Sequence, residues 1–292
     1  MNATDTALEA LAAANRPEQF TIMEQTMRLL TASPAVTHLA VRGSFAAGTS
    51  DRLSDVDLVV GVREPEYAMF TAAHDALIAA RLGQLLPAWP DTIVPDLGGL
   101  GFVHLLVHRH MLYQLDLYLA PAGRVERIVA ATRGRLMYTA PDHTGAPEGH
   151  PQVETFIAAA RQSPPTCTEL LVEVLVLTWL IRKRIVRGQQ FMAYKEAHQL
   201  TTATRALART ALSPHTAYLG WYHLETDLGA TPIGRACLAD LAELAAEPAL
   251  PTLQSLERML ATVLTLARRA APEAVEQLAT AIDAYRHYLD LR

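Results

Sequence analysis

Four residues in the stretch VRGSFAAGTSDRLSDVDLVV, from Val41 to Val60, carry the strongest chemical signal in this chain. Gly43 and Ser44 close one apolar run, and Asp55 and Asp57 lie in a second, DVDLVV. Read as a strand from Asp55 to Val62, that run sends alternate side chains to opposite faces, so Asp55 and Asp57 project together. Two carboxylates so close repel each other, and one is pushed toward protonation. A divalent cation removes the conflict, and Mg²⁺ takes its oxygens from one or two carboxylates and from substrate phosphates. Upstream, THLAVRG reads as a strand that stops at Gly43, and SFAAG as a short helix starting at Ser44. The N–H groups at such a helix start favour anions, a glycine lets a phosphate approach the backbone, and the serine hydroxyl adds a hydrogen bond. Alone, Gly-Ser is also a tight turn and Asp-x-Asp a solvated strand edge. Together, each against a strand, they read as a metal–nucleotide site.

Gly-Ser followed after a short spacer by Asp-x-Asp on a strand resembles the nucleotidyltransferase superfamily, which includes DNA polymerase β and the small-molecule adenylyltransferases of antibiotic resistance. Gly43, Ser44, Asp55 and Asp57 match its motif residue by residue, and the resemblance implies a third carboxylate on a later strand. The candidate is Asp116 in MLYQLDLYLA, where it shares a face with Gln114 and Tyr118, opposite Leu115, Leu117 and Leu119. An acid amid so apolar a strand needs a partner or a purpose. The bland alternative is an edge-strand charge that discourages aggregation.

The resemblance further implies a mechanism. Asp55, Asp57 and Asp116 would hold two Mg²⁺ ions, and Asp116 would face the acceptor and take the proton from its hydroxyl. A nucleoside monophosphate, AMP from ATP in the first instance, would pass to a small hydroxylated and cationic acceptor such as an aminoglycoside or lincosamide. Related enzymes draw basic residues from a second domain toward the triphosphate. Arg182 and Lys195 are the candidates here, placed by context rather than by motif. Two alternatives stand beside this: a toxin-like nucleotidyltransferase acting on tRNA or protein, and a non-catalytic nucleotide-binding protein of the same fold.

Composition narrows the partners. The net charge is −5 over 292 residues, and no basic stripe dominates of the kind that marks nucleic-acid binding. The one basic concentration, Arg182, Lys183, Arg184 and Arg187, reads equally as a triphosphate contact or a solvated helix face. Cys167 and Cys237 show neither metal spacing nor a disulfide framework, which points to the cytoplasm. The first twenty residues carry acids and no basic n-region, unlike a signal peptide. The run LLVEVLVLTWLI from Leu170 contains Glu173 and is short for a bilayer, so a buried helix is expected and no membrane partner.

The elements that must position these residues follow from periodicity. Pro17 to Ala32 reads as a helix, Val36 to Val41 as a strand, and Glu64 to Leu82 as a helix with Pro65 in its first turn. Leu85 to Gly101 is a long loop. GFVHLLVH and MLYQLDLYLA form a hairpin around His110, with a short helix near Val125. Thr139 to Pro151 is the best linker. Helical spacing marks Gln152–Arg161, Cys167–Arg187, Phe191–Leu212, Leu253–Ala271 and Pro272–Leu291, a bundle of roughly five to seven helices. The expected class is α+β: a catalytic domain over residues 1–145 with a mixed sheet flanked by helices, then an all-α domain over 146–292.

Two other constellations compete. His104, His108 and His110 suggest zinc, but His104 and His108 lie too far apart along a regular strand to share one ion. Trp179, Tyr194, Trp221 and Tyr222 suit stacking on a base or sugar, with core packing as the default.

Overall fold

In the computed structural model the described residues are 18–93, 96–143 and 149–289. The chain divides into two compact units, Met1–Gln84 with Pro90–Gln162, and Leu85–Trp89 with Ser163–Arg292. The first is α+β with a mixed sheet flanked by helices; the second is a bundle of α-helices.

In the first unit, α1 (Glu18–Thr31) buries Gln19, Ile22, Thr26 and Leu30 at helical spacing. Pro17, its expected first residue, lies outside the described residues. Strand β1 (Val36–Val41) leads to the short helix α2 (Gly43–Ala47) and then to β2 (Val56–Val62). A 3-10 turn at Glu64–Glu66 carries Pro65 and opens α3 (Tyr67–Leu82). Next come β3 (Trp89–Pro90), β4 (Leu100–His108), β5 (Met111–Pro121), α4 (Val125–Thr132), β6 (Arg135–Thr139) and α5 (Pro151–Gln162). The strand order is β3-β4-β5-β2-β1-β6. β2 and β5 pair in parallel, whereas β1–β2, β1–β6 and β4–β5 run antiparallel.

The sheet is buried on both faces, which is why β2 and β5 read as near-continuous apolar runs. One face carries Leu58, Val60, Leu115, Leu117 and Leu119 into the larger core with Ile22, Leu30, Tyr67 and Ile78. The other carries Ala40, Val59, Tyr118 and Ala120 into a smaller core under Val125 and Ile128 of α4. The β4–β5 hairpin closes with His108 opposite Met111, and Arg109 and His110 both take positive φ, as a two-residue turn of type I′ requires.

Three features depart from the expected elements. Strand β6 was not foreseen: RLMYT is mostly exposed, so it lacks an apolar strand signature, and its pairing with β1 comes from position rather than pattern. The expected linker holds β6's last residue, and part of it lies outside the described residues. Helix α5 packs in the first unit, with Val153 and Ile157 in the larger core and Phe156 edge-on to Tyr67 at 6.0 Å. The break between the units follows Gln162.

The second unit holds α6 (Cys167–Val186), α7 (Gln190–Leu212), a 3-10 segment Pro214–Leu219, α8 (Leu224–Gly229), α9 (Pro232–Ala246), α10 (Leu253–Ala270), α11 (Pro272–Gln277) and α12 (Ala279–Leu289). A capping box between Thr166 and Glu169 starts α6. The helix expected over Pro272–Leu291 breaks at Leu278, and its final residues lie outside the described ones. Helices α8 and α9 were missed because the first is short and the second is alanine-rich with a weak apolar stripe. No single helix among the described residues is long and apolar enough to cross a membrane.

Glu173 interrupts the apolar run of α6, and burial pushes its carboxyl up to about 7. The fold therefore favours its protonated form. Its contribution to stability is greatest below the unfolded value near 4.5 and is lost as pH rises through 7. Glu173→Gln is expected to raise the urea stability of the second unit by on the order of 2 kcal/mol at pH 8, with the gap closing toward pH 4.5. Urea titrations at the two pH values check this; a gain independent of pH would contradict it.

Candidate functional site

Asp57 is the second residue of β2 and Asp116 lies midway along β5. The parallel register sets them directly opposite each other, Asp57 beside Asp116. Adjacent strands lie about 4.8 Å apart, and partners in register project to the same face. That face also carries Val59, Tyr118 and Ala120, so the carboxylates continue the face that α4 covers further along.

Several contacts fix this pair. Gln114, two residues before Asp116 and on the same face, is buried and points its amide Nε2 at both carboxylate oxygens of Asp116, at 2.8 and 3.0 Å. Arg42 brings a guanidinium nitrogen to 3.7 Å from Asp57 Oδ1, and its guanidinium carbon sits 5.7 Å from the centre of the Tyr118 ring. The Arg42 backbone N–H also donates to the Asp57 carbonyl at 3.0 Å, extending the β1–β2 ladder to the start of α2. The Tyr118 hydroxyl accepts from the backbone N–H groups of Leu97 and Gly99 at 2.9 and 3.0 Å.

Gly43 is required by the same geometry. Its φ is +66°, and a Cβ built there would overlap Asp57 Oδ2 and lie 2.9 Å from Asp57 Cγ. The glycine thus leaves space directly against the carboxylate. Ser44 follows in the first turn of α2, half-buried.

The loop between α2 and β2 is tied down. Asp51 Oδ1 accepts from the Leu53 N–H and the Ser54 hydroxyl, and Gln19 Nε2 donates to the Arg52 carbonyl at 2.8 Å. Strand β2 starts at Val56, so Asp55 stands one residue ahead of it rather than inside it. The turn closed by the Ser54 N–H on the Asp51 carbonyl runs right up to Asp55, so strand alternation does not set that side chain's direction. Among the described residues, no three His, Cys, Asp or Glu side chains form a group that could hold a metal ion. The in-register pair is Asp57 and Asp116.

Arg182, on α6 of the second unit, sits 5.6 Å over the Trp179 ring, and Lys195 is exposed on α7. The basic run around Arg182 is not a uniform solvated stripe, since Lys183 is fully buried and Arg184 pairs with Glu196 at 3.0 Å. The histidines diverge: His104 Nδ1 meets Gln84 Oε1 at 3.1 Å, and His108 Nε2 meets Glu18 Oε2 at 3.2 Å. Burial drives His104 down to about 3, so its ring is neutral. Arg42 escaped the sequence reading, although its place immediately before Gly-Ser was available as a signal. Gln114 was seen as a face-mate of Asp116 and not as its hydrogen-bond donor.

No model of a known protein family matches the chain, and no curated protein does. Among solved structures, the chain is similar to a nucleotidyltransferase-like protein from Exiguobacterium sibiricum 255-15, at 13% identity over 91% of this chain and 80% of that one, with a TM-score of 0.21.

The clash at Gly43 is measurable as a coupling. Gly43→Ala is expected to cost about 1 kcal/mol or more beyond its backbone strain when Asp57 is present, and to lose that excess in an Asp57→Ala background. A double-mutant cycle by denaturant unfolding reads the difference; equal costs in both backgrounds would show that the carboxylate does not press on residue 43.

Proposed function

We propose that the chain is a Mg²⁺-dependent nucleotidyltransferase that moves a nucleoside monophosphate, AMP from ATP in the first instance, to a hydroxyl of a small cationic molecule. The observation that carries this is the in-register pairing of Asp57 with Asp116 across a parallel strand pair, with the cleared space of Gly43 against it. The donor set suits Mg²⁺, which binds through one or two carboxylates and completes its shell with water and substrate phosphates. Asp57 and Asp116 would hold the ion; Asp55, the third ligand that the motif implies, stands one residue ahead of the strand and forms no three-residue group with them. When bound, Mg²⁺ neutralises the paired carboxylates and polarises the phosphoryl oxygens.

The remaining roles fall to the chain's own side chains. Asp116 accepts the proton of the acceptor hydroxyl, whose oxygen bonds to the α-phosphorus as the bond to pyrophosphate breaks. Gln114 holds both oxygens of Asp116 in one orientation, so the base does not rotate away from that proton. Gly43 and Ser44 give the phosphates backbone and hydroxyl contacts. Arg42 offsets the charge of Asp57 before the nucleotide arrives. Arg182 and Lys195 of the second unit are assigned to the triphosphate. An aminoglycoside or lincosamide suits the acceptor position by its hydroxyls and positive charge, set against the acidic balance of the chain. The corresponding biological role is antibiotic inactivation in the cytoplasm.

Incubation with Mg²⁺, each of the four nucleoside triphosphates and an aminoglycoside and lincosamide panel is expected to add one nucleoside monophosphate to an acceptor, read by mass, with ATP preferred. Chelation of Mg²⁺ should abolish the product. Asp57→Asn and Asp116→Asn should each lower transfer by ~10³-fold or more with the circular-dichroism melt retained. Full transfer by a folded Asp57→Asn protein would overturn the mechanism. Gln114→Leu is expected to lower kcat by about 10–100-fold with little change in KM for ATP, the signature of a lost orienting contact.

A further inference from the structure

The second unit contains a cation that its own fold leaves unanswered. Arg205, on α7, is 8% exposed, yet it makes no hydrogen bond or ion pair with any described residue, and its Nε is buried without a partner. What it does have is the Trp221 ring, 5.2 Å from its guanidinium carbon. Buried arginines are ordinarily matched by a carboxylate or carbonyls, and its neighbour one turn on shows the ordinary case at its Nη groups, although its Nε is likewise buried without a partner. Arg209 donates to the carbonyls of Gly220 and Tyr222 at 2.7 and 2.8 Å and pairs with Asp227. Asp227 thus answers Arg209 alone, and burial together with Arg209 lowers the pKa of Arg205.

The surroundings of Arg205 are shaped for a ligand. Arg209 grips the carbonyls on either side of Trp221, which holds the backbone that carries that ring. Gly220 has φ +63°, and a Cβ built there would, its chain neighbours aside, meet only Arg205 Nη1, at 3.6 Å. The glycine therefore leaves space on that side of Nη1. In the segment that carries Trp221, Tyr218, Trp221 and Tyr222 are 83, 47 and 77% exposed, three aromatic rings within five residues. Aromatic faces beside an unmatched guanidinium are the combination that binds nucleotides without sequence preference, the base stacking and the phosphate taking the cation.

We propose that Arg205, Trp221 and Tyr222 form a nucleoside-phosphate subsite on the helical unit, with a phosphate oxygen on Arg205 Nη1 above Gly220 and the base against the exposed aromatic rings. The subsite needs no metal and none of the carboxylates of the first unit. It stands or falls independently of the transferase reading.

The test uses the full chain carrying Asp57→Asn, labelled with fluorotryptophan, in EDTA. Its three tryptophans give separate ¹⁹F signals, and Trp221→Phe assigns the relevant one. AMP is expected to shift the Trp221 signal saturably. Arg205→Gln should weaken the midpoint about tenfold or more, as loss of a charge-assisted hydrogen bond does, with partial recovery in Arg205→Lys. Tyr222→Ala, an exposed position, should weaken it several-fold and serves if the Arg205 variants fail to fold. A 5′-phosphorylated oligoadenylate binding tenfold tighter than AMP would support the subsite with a strand end as its source; equal midpoints would support it with the mononucleotide. No Trp221 shift at millimolar AMP, an unchanged midpoint in folded Arg205→Gln, or inorganic phosphate binding as well as AMP would each overturn the proposal.

Discussion

The repulsion between Asp57 and Asp116 is the constraint that organises the first unit. Two unit charges about 5 Å apart at an effective dielectric of 20 repel by roughly 3 kcal/mol. An isolated strand pair would relieve this by slipping or splaying. Here slippage by one residue would turn Leu58, Val60, Leu117 and Leu119 out of the larger core, so the register is held by the far face of the sheet. The apolar face thus fixes the positions of charges on the opposite face. Arg42 at 3.7 Å and the two contacts from Gln114 offset the repulsion locally.

The pairing also explains features that look unrelated. Gly43 has no side chain because Asp57 needs the space that a Cβ would fill. The loop from Asp51 to Ser54 is held by its own side chains and by Gln19 of α1, so Asp57 enters the strand from a fixed start. A hydrogen bond from Gln19, 33 residues from Arg52 in sequence, therefore helps to place the strand that carries one carboxylate. Each of these loop hydrogen bonds is weak alone, about 1 kcal/mol. Their common effect is to leave Asp57 few alternatives to its position beside Asp116.

The sequence revealed this site unevenly, for physical reasons. Gly43, Ser44, Asp57 and Asp116 were legible because polar residues inside apolar runs stand out, and because period-2 alternation sets Asp116 and Gln114 on one face. The Asp57–Asp116 neighbourhood was not, since strand order and register depend on contacts 59 residues apart in the chain. Asp55 shows the limit of alternation: the rule holds only where the ladder exists, and the ladder begins at Val56. Strand β6 and helices α8 and α9 were invisible for another reason. Exposed or alanine-rich segments carry little apolar periodicity, and neighbours impose their conformation. The long helices α6, α7 and α10, with broad apolar stripes or none to spare for solvent, were legible nearly to the residue.

Charge counting reads the helical unit poorly, whereas charge satisfaction reads it well. Its arginines look alike in the sequence, yet Arg184, Arg209, Arg258 and Arg269 each have a carboxylate within the unit. Arg205 has an aromatic ring in place of a carboxylate. A guanidinium stacked on an indole keeps its in-plane N–H groups aimed sideways, and stacking does not satisfy them. In the first unit the register of β2 and β5 likewise sets two like charges side by side, Asp57 and Asp116, because the apolar face of the sheet holds the strands in place.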